Sequence, residues 1–388
     1  MKIENSYKKI KILLISYDPA GGSILSIINE KLKKKYDVKN LFFGPSKIYL
    51  NSYEQKENAI RSNVSLKNLK KNFLSFNPNL IITASGVYNN VEHYSRIIAK
   101  ENKIKCISVL DYWSEYNSRF SRKFKNKIEY SIPDWIFVMD SRSKKDLAQE
   151  LKINSRKIFI SGCINLENIK KKNKAIKKKE EFLKTNKIVI TFFSDAFYPK
   201  NNKKKYFGKF LDKRGNSVFG YTPDHILKIL LESIYEINRK LKKEILFIYK
   251  PHPREDYLIN KKIIKKFQNI DKNIKLKTET SKKTFQLSIE SHLIFGMSSI
   301  ALFEASITNK PTFSVQIGLD KKNIFDPCLS NRFNYSISVN NRYKLIAILK
   351  SYLQNTNSKK FKLLKKYVNI DGALSKTLNK IDKIISDL

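Results

Sequence analysis

Short apolar runs alternate with longer amphipathic stretches along the first half of the chain. Runs rich in Ile, Leu, Val and Phe predict strands at residues 9–16, 37–43, 79–84, 104–110, 135–139 and 157–160. Apolar residues at helical spacing predict helices after Ser23 and at 65–76, 89–102 and 142–151. Apolar strands separated by amphipathic helices are typical of a parallel sheet covered on both faces. Residues 1–165 are therefore predicted to form one doubly wound α/β domain.

The same pattern returns after a lysine-rich interruption. Residues 166–186 carry a dense run of like charge, which indicates a solvated linker or an exposed helix. Beyond it, strands are predicted at 187–193, 244–249, 291–295 and 311–317, helices after Thr222 and at 299–308, and a helical tail at 341–388. The predicted fold class is α/β, with two tandem doubly wound, Rossmann-like domains, 1–165 and 187–388, that face a cleft. Because ligands of such sheets bind beyond the carboxyl ends of strands, loops that follow strands are the candidate functional segments.

Charge and composition narrow the class of protein. The 388 residues include 77 Lys+Arg and 35 Asp+Glu, a formal net charge of +42, so the surface attracts nucleotides, phospholipid headgroups and acidic glycans. Only 11 of the 77 basic residues are Arg. Proteins that read bases favour the Arg fork over the flexible Lys charge, so we expect no nucleic-acid partner.

Cysteine usage and hydropathy bear on location. The three cysteines are far apart and form no CxxC pair, so we expect neither a disulfide framework nor a zinc site. The first ten residues lack the apolar core of a signal peptide. Two stretches, 12–29 and 291–309, are long and nearly uncharged, but the first contains Asp18, Pro19 and two glycines and the second contains Glu304, so neither is expected to span a membrane. We expect a cytoplasmic protein and allow for peripheral contact with the anionic inner face of a membrane.

The sharpest candidate in the second domain is the turn Lys-Pro-His-Pro-Arg that directly follows the strand ending at Tyr249. Its two prolines stiffen the backbone. Lys250, His252 and Arg254 together suit a phosphate, since the cations supply charge and the imidazole donates a directed hydrogen bond. The alternative is a rigid turn with a surface histidine.

A second candidate loop follows the strand at 291–295. Gly296 permits close backbone approach, and Ser298 or Ser299 can cap a helix whose first amides form an anion site. Serine pairs also cap helices for stability alone. Glu304, further along that helix, is a candidate for binding ribose hydroxyls or is an ordinary solvated residue. Asp195, after the strand at 187–193, is a candidate to line the cleft from the second domain.

The first domain offers candidates for sugar binding and proton transfer. Asp18, Gly21 and Gly22 follow the first strand and suit a substrate phosphate or sugar hydroxyls, unless the glycines serve tight helix packing. The segment Asp-Tyr-Trp-Ser-Glu-Tyr follows the strand at 104–110. Its aromatic residues Tyr112 and Trp113 can stack on a sugar, and Asp111 or Glu115 can act as a general base. The alternative is a packed aromatic loop with solvated acids.

Several well-known signatures are absent. The sequence contains no GxGxxG after the first strand, no GxxxxGK[ST], no HExxH and no GxSxG. It also contains no Asp-x-Asp pair, although a divalent metal on a nucleotide diphosphate needs closely spaced oxygen ligands. We therefore expect no metal and no bound cofactor.

These residues resemble a known superfamily. The paired α/β domains, the Lys-Pro-His-Pro turn at 250–253 and the segment 296–305 (GMSSIALFEA) look like GT-B glycosyltransferases. Within that superfamily they are similar to bacterial sialyltransferases, capsule Kdo transferases and glycerol-phosphate polymerases, which use cytidine-nucleotide donors. UDP-N-acetylglucosamine 2-epimerases share the fold. The acidic pair followed by Gly that those sialyltransferases use as their base motif is absent from this sequence.

The resemblance implies a role for each candidate residue. The donor phosphate would lie against Lys250, His252, Arg254, Gly296, Ser298 and Ser299, and the donor sugar or base against Glu304 and Asp195. The general base would be Asp111, Asp18 or Glu115, in a domain that binds the acceptor through Gly21, Gly22, Tyr112 and Trp113.

The leading interpretation is a metal-independent glycosyltransferase that moves a sugar from a nucleotide donor to a glycan or lipid-linked acceptor in surface polysaccharide biosynthesis. One alternative is a nucleotide-sugar 2-epimerase, which needs acid–base groups on both faces of the sugar and no acceptor. Another is a non-catalytic basic protein that binds nucleic acid or a membrane surface, which predicts steep salt dependence of binding.

Overall fold

The computed structural model describes residues 9–50, 66–87, 89–124, 127–177, 187–195, 219–253, 255–319, 328–354 and 370–388. The chain divides into two compact units. Unit 1 comprises residues 1–167 and 368–388, and unit 2 comprises residues 168–367.

Unit 1 alternates strand and helix as the apolar runs predict. Its elements are β1 (Lys11–Ser16), α1 (Pro19–Leu32), β2 (Asp37–Phe42), α2 (Leu66–Phe76), β3 (Leu80–Thr83), α3 (Val91–Glu101), β4 (Lys105–Val109), α4 (Tyr116–Phe120), β5 (Ser121–Phe124), β6 (Lys127–Tyr130), β7 (Trp135–Val138), α5 (Ser141–Leu151), β8 (Ile158–Ile160) and α6 (Ile164–Lys177), which continues into unit 2. Short 3-10 helices lie at Gly44–Tyr49 and Ser155–Lys157.

Six of these strands form one parallel sheet with the order β2-β1-β3-β4-β7-β8, and β5 and β6 form a separate antiparallel hairpin. Both faces of the sheet are buried. Ile12 and Leu14 of β1 pack in one apolar cluster with α1, whereas Leu13 and Ile15 pack in another with α2 and α3. Burial on two faces explains why β1 is apolar at consecutive positions instead of alternating.

Unit 2 repeats this architecture. Its elements are β9 (Ile188–Phe193), α7 (Pro223–Leu241), β10 (Ile245–Lys250), α8 (Leu258–Phe267), β11 (Ile274–Thr278), α9 (Thr284–Glu290), β12 (Leu293–Gly296), α10 (Ile300–Ser306), β13 (Thr312–Val315), α11 (Leu329–Arg332), β14 (Ile337–Val339) and α12 (Arg342–Gln354). The strands form a six-stranded parallel sheet with the order β11-β10-β9-β12-β13-β14. Two doubly wound α/β units confirm the predicted fold class.

The last helix of the chain, α13 (Ala373–Ser386), packs in unit 1. Its apolar stripe, which includes Ile381 and Ile384, joins the cluster formed by β1 and α1. Asp382 accepts hydrogen bonds from the Tyr36 hydroxyl at 2.8 Å and the Lys35 Nζ at 2.7 Å. The sequence pattern grouped this segment with residues 187–388, whereas its side chains complete the core of unit 1.

Other parts of the chain also differ from the pattern-based expectations. The segment expected as a linker begins inside α6, where Leu166 is buried, and residues 178–186 lie outside the described residues. The tail at 341–388 contains two helices, α12 and α13, and residues 355–369 between them lie outside the description. Strands β5, β6, β11 and β14 were not predicted, because each is short and exposes one face or an edge of its sheet.

Within the described residues, no helix combines the length and the apolar character that a membrane crossing requires.

Candidate functional site

The strand order of unit 2 defines where a ligand of this architecture binds. From β9 the chain adds β10 and β11 on one side and then β12, β13 and β14 on the other, so the order reverses between β9 and β12. In open parallel sheets, ligands occupy the crevice beyond the strand ends at such a reversal. The loop that begins with Ser194 and Asp195 follows β9, and the loop with Met297 and Ser298 follows β12, so both predicted segments leave this edge.

Asp195 holds the loop that follows β12. The buried carboxylate accepts hydrogen bonds from the backbone N–H of Ser298 at 2.9 Å and from the Ser298 hydroxyl at 2.7 Å. Burial raises the pKa of Asp195, and the bonds from Ser298 partly offset that rise. The Ser299 hydroxyl accepts from the Ala301 N–H at 3.3 Å and so caps α10. Asp195 is thus committed to holding this loop in place.

Glu255 plays the same part for the Lys-Pro-His-Pro turn, and the sequence analysis did not single it out. Its buried carboxylate accepts from the backbone N–H of His252 at 3.0 Å and from the Ser194 hydroxyl at 2.9 Å. The Tyr249 hydroxyl and the Asn260 amide donate to it as well, at 3.0 Å and 2.7 Å. Burial raises the pKa of Glu255 to about 7. Adjacent residues 194 and 195 therefore tie the β9 loop to both candidate phosphate loops.

The three basic residues of the turn differ in their contacts and exposure. Lys250 donates from Nζ to the Thr280 carbonyl at 2.8 Å, and desolvation lowers its pKa. His252 is partly exposed at the same edge of the sheet. Arg254 lies outside the described residues.

Gly296 and Glu304 take different roles around α10. A Cβ atom on Gly296 would lie 2.9 Å from Leu302 Cδ1 and 3.2 Å from the Phe193 carbonyl, so this glycine lets α10 pack closely on the sheet. Glu304 is partly buried, and its side chain forms no hydrogen bond or ion pair with any residue that the structure describes. Desolvation alone raises the pKa of Glu304 to about 7. Among the described residues around α10, its carboxylate is an acid without a side-chain partner.

In unit 1, Asp111 is held by an arginine that the sequence analysis missed. Arg119 donates from Nη1 to Asp111 Oδ1 at 2.7 Å and to the Ser85 carbonyl at 2.7 Å, and from Nε to the Ser114 carbonyl at 2.8 Å. Only about a twentieth of this guanidinium side chain is exposed (5 %). Arg119 therefore fixes Asp111 between the loops that follow β3 and β4.

The other residues of the Asp-Tyr-Trp-Ser-Glu-Tyr segment differ in burial and in contacts. Trp113 is buried and donates from Nε1 to Asp140 at 2.6 Å, so its ring is part of the unit's interior. Tyr112 is partly exposed and meets the Trp113 ring edge-on. Glu115 is partly exposed and adopts a left-handed backbone, with φ of 62°, immediately before α4. This conformation is uncommon for a residue with a side chain.

The two glycines that open α1 serve close packing. A Cβ atom on Gly21 would lie 2.4 Å from Ala84 Cβ, and one on Gly22 would lie 2.7 Å from Ser46 Cβ. Both glycines are buried, so the structure places them against neighbouring loops of unit 1.

Asp18 belongs to a polar cluster where the strand order of unit 1 reverses, between β1 and β3. A Cβ atom on Gly86 would lie 2.5 Å from Asp18 Oδ2, so Asp18 lies directly over the loop after β3. Buried Glu92 accepts from the Tyr17 N–H at 2.9 Å, while its Oε2 has no hydrogen-bond partner among the described residues. Desolvation, reinforced by the charge of Asp18, raises the pKa of Glu92 to about 7.

Arg122 holds the other side of this loop. It donates from Nη2 to the Gly86 carbonyl at 3.0 Å and from Nε to Asn90 Oδ1 at 3.0 Å. An open pocket of about 340 Å³ lies beside it, lined by Val87, Ser118, Ser121, Arg122, Lys123 and Ile128. Unit 1 thus collects three acids, Asp18, Glu92 and Asp111, and two arginines, Arg119 and Arg122, near the carboxyl ends of β1, β3 and β4. Among the described residues, no group of His, Cys, Asp or Glu side chains is arranged to hold a metal ion.

Comparison with solved structures identifies proteins of the same fold. UDP-GlcNAc 2-epimerase from Methanocaldococcus jannaschii is 18 % identical, with a TM-score of 0.61 over 97 % of this chain and 100 % of that one. The Neisseria meningitidis UDP-GlcNAc 2-epimerase bound to UDP-GlcNAc is 15 % identical, with a TM-score of 0.60 over 96 % and 100 %. S. aureus MnaA in a structure with UDP is 11 % identical, with a TM-score of 0.58 over 98 % of each chain. No protein-family model and no curated protein matches the chain.

This comparison corrects the leading interpretation of the sequence. The GT-B-like fold is confirmed, but the resemblance to sialyltransferases, Kdo transferases and glycerol-phosphate polymerases is not. The glycosyltransferase interpretation is wrong, because the matches with TM-scores of 0.61 and 0.60 that span both units are structures of UDP-GlcNAc 2-epimerases. They favour the 2-epimerase alternative.

Proposed function

We propose that this chain is a nucleotide-sugar 2-epimerase that acts on a UDP-N-acetylhexosamine. The observation that carries the proposal is the structural match to UDP-GlcNAc 2-epimerases, which spans 96–97 % of this chain and the whole of the two matched chains. A match confined to one α/β unit would be far less informative, because single doubly wound units host many unrelated functions.

The chemistry of such a reaction explains which groups are needed. Inversion at carbon 2 requires that one proton leave that carbon and another return on the opposite face of the sugar. No second sugar takes part. The enzyme therefore needs carboxylates or other acid–base side chains together with a firm hold on the nucleotide, and it needs no acceptor site.

Unit 2 is the proposed nucleotide-binding unit. His252 and the loop with Ser298 and Ser299 are proposed to bind the diphosphate, since both segments follow carboxyl ends of strands: the Ser298 loop leaves β12 at the reversal, and the His252 turn leaves β10, the neighbour of β9. The buried acids Asp195 and Glu255 support this assignment indirectly. They fix the backbone of the two loops through the Ser298 and His252 amides, which is the preorganisation that a binding site requires.

Glu304 is proposed to accept hydrogen bonds from the ribose hydroxyls. A partly buried carboxylate without a partner lowers the stability of the folded protein, because ionisation in that environment is unfavourable. Such a group is explained if a ligand supplies the missing donors. Ribose hydroxyls are donors of the right kind, and a carboxylate accepts strong hydrogen bonds from them.

Unit 1 is the proposed source of the acid–base groups. Asp111 is held by Arg119 at 2.7 Å, which fixes its orientation as proton transfer requires. Asp18, above Gly86, is the proposed second group. Both residues follow strands, at the ends of β4 and β1.

The test is to incubate the protein with UDP-N-acetylglucosamine alone in D2O and to follow the sugar by proton NMR. We expect the 2-epimer to appear and the carbon-2 proton of both sugars to be replaced by deuterium, with no acceptor added. The proposal would be contradicted if the protein bound the nucleotide but the carbon-2 proton stayed unexchanged after an incubation long enough for many turnovers.

A further inference from the structure

The outward face of α8 has an unusual composition. Lys261, Lys262, Lys265 and Lys266 are all exposed, and their spacing places them on one side of the helix. The opposite side faces the core, where Ile264 is buried. The helix is therefore divided cleanly into an apolar inner half and a lysine-rich outer half.

Exposed apolar side chains flank these lysines. Leu258 and Ile259 form the first turn of α8 and are 62 % and 48 % exposed, and Ile270, just beyond the helix, is 53 % exposed. Lys272 follows and is exposed as well. We call the set Leu258, Ile259, Lys261, Lys262, Lys265, Lys266, Ile270 and Lys272 the α8 patch.

The lysines of the patch outnumber the acids next to them in the chain. Residues 255–280 are all described, and of the acids among them Glu255 and Glu279 are buried while Asp256 and Asp271 are partly exposed. The five lysines of the patch form no ion pair with a residue that the structure describes. Such a surface attracts an extended anionic partner.

The patch is also held rigidly. Asn260 on the inner side of α8 donates to Glu255 at 2.7 Å, and the carbonyl of Phe267 at the other end accepts from the Tyr235 hydroxyl at 2.7 Å. Both ends of the helix are therefore anchored to unit 2, so the outer half is presented in one orientation.

We infer that the α8 patch binds the surface of an anionic lipid bilayer. Lysines beside the surface of such a membrane are attracted to its headgroups, and neighbouring Leu and Ile side chains can enter the boundary between headgroups and acyl chains. The net charge of the chain suggests a membrane contact only in general terms, whereas the α8 patch gives that contact a defined place. Such a contact does not depend on the proposed function.

The apolar residues favour a lipid surface over a nucleic acid. Proteins that bind nucleic acids contact the phosphates through Lys and Arg and stack bases on aromatic rings. The patch contains no Arg and no exposed aromatic ring. Exposed Leu and Ile side chains add no binding free energy with a phosphate backbone. They add binding free energy when their apolar area moves from water into lipid.

The experiment is a vesicle sedimentation assay with the full chain. Vesicles of phosphatidylcholine alone are compared with vesicles that contain about 30 % phosphatidylglycerol, in about 0.1 M salt. We expect binding to the anionic vesicles only. The variant K261E/K262E/K265E should lower the partition coefficient by roughly a hundredfold, because each lysine near the surface contributes to the attraction.

The matched control is K31E/K33E/K34E. These three lysines are exposed on unit 1 at the end of α1 and after it. Both variants remove the same charge from a chain with a net charge of +42, so they differ only in where the charge is lost. The control should lower the partition coefficient by less than about threefold. Circular dichroism spectra and thermal midpoints establish that both variants are folded.

A second variant tests the apolar part of the patch. L258S/I259S keeps every charge, and because both side chains are exposed it should leave the stability of unit 2 unchanged. We expect about a tenfold weaker partition into anionic vesicles, and a steeper loss of binding as salt is added. The inference would be overturned by equal losses in the two lysine variants, by equal binding to neutral vesicles, or by duplex RNA that displaces the vesicles and depends on the same lysines.

Discussion

The acidic side chains around the strand ends of unit 2 fall into two kinds. Asp195 and Glu255 are buried and accept several hydrogen bonds, so each stabilises a loop. Glu304 is partly buried and has no partner among the described residues. A group of the second kind reduces the stability of the folded protein, and we propose that Glu304 serves ligand binding, whereas groups of the first kind contribute to the fold.

This difference predicts an unusual result for Glu304→Gln. The folded-state pKa of about 7 lies above the ordinary value of 4.5. Between these values the folded protein holds a proton that the unfolded chain has released, so the free energy of unfolding falls as pH rises. Gln cannot ionise. Glu304→Gln should therefore be more stable than the wild type by roughly 1–3 kcal/mol at about pH 8 and equal to it at about pH 4.

The same variant should bind UDP roughly tenfold to a hundredfold more weakly, since a hydrogen bond to a charged acceptor is lost. Urea unfolding at the two pH values and calorimetric titration with UDP measure the two effects. Glu232→Gln on the exposed side of α7 is the control, and it should change neither. A Glu304→Gln protein that is less stable at alkaline pH, or that binds UDP as the wild type does, would refute the assignment.

Asp111 is the residue on which the proposed reaction depends most. Asp111→Asn keeps the size of the side chain but removes the base, so the rate of deuterium exchange at carbon 2 should fall about 10²- to 10⁴-fold. UDP binding should be unchanged. Asp146→Asn, on the surface of α5, is the control and should retain the full rate. Retention of most of the exchange rate in Asp111→Asn would assign the proton transfer to another group.

The sequence indicated part of the candidate site, and the omissions have a physical cause. The Lys-Pro-His-Pro turn and the Ser-Ser loop stand out because Pro, Gly and Ser directly after an apolar strand are local signals. Glu255, Arg119 and Glu92 carry no such signal, because a charged residue in a loop or helix ordinarily lies in water. Only the fold shows that they are buried and bonded to residues far away in the sequence.

At the scale of secondary structure, the unexpected element is α13. Its apolar stripe belongs to the core of unit 1 although unit 2 lies between it and the rest of unit 1 in the sequence. Periodicity predicts that such a helix exists and which side of it is buried. It contains no information about which of two apolar surfaces the helix will cover.

The packing of α13 predicts that a substitution in this helix changes the stability of unit 1. Ile381 is fully buried in unit 1, so Ile381→Ala should lower the stability of that unit by about 2–4 kcal/mol. Both tryptophans of the chain, Trp113 and Trp135, lie in unit 1, so tryptophan fluorescence reports its unfolding. The fluorescence midpoint in urea should therefore shift.

Ile385→Ala, at a partly buried position of the same helix, is the matched control and should cost less than about 1.5 kcal/mol. An unchanged fluorescence midpoint in Ile381→Ala would show that α13 does not stabilise unit 1 in solution.

For the whole molecule, the net charge of +42 sets the background against which ligand specificity must be measured. Any multivalent anion is attracted to such a surface. A nucleotide site is revealed only when ligands of equal charge differ. We expect UDP at about a hundred times its Kd to stabilise the protein by about 2.7 kcal/mol in thermal unfolding, and CDP at the same concentration to do so much less.

Inorganic pyrophosphate at equal ionic strength is the control for charge alone. It should raise the thermal midpoint by less than UDP does, because it lacks the base and ribose. If CDP stabilised the protein as strongly as UDP, the uridine specificity of the proposal would be lost.

The return of α13 to unit 1 also governs the order in which the chain can fold during synthesis. Residues 373–386 leave the ribosome after every strand of unit 2. Unit 2 can therefore close its core while the nascent chain is still growing, whereas unit 1, whose strands emerge first, keeps one apolar surface open until Ile381 and Ile384 arrive. The half of the protein that is made first is thus finished last, and in the interval its sheet is the part that chaperones would need to shield.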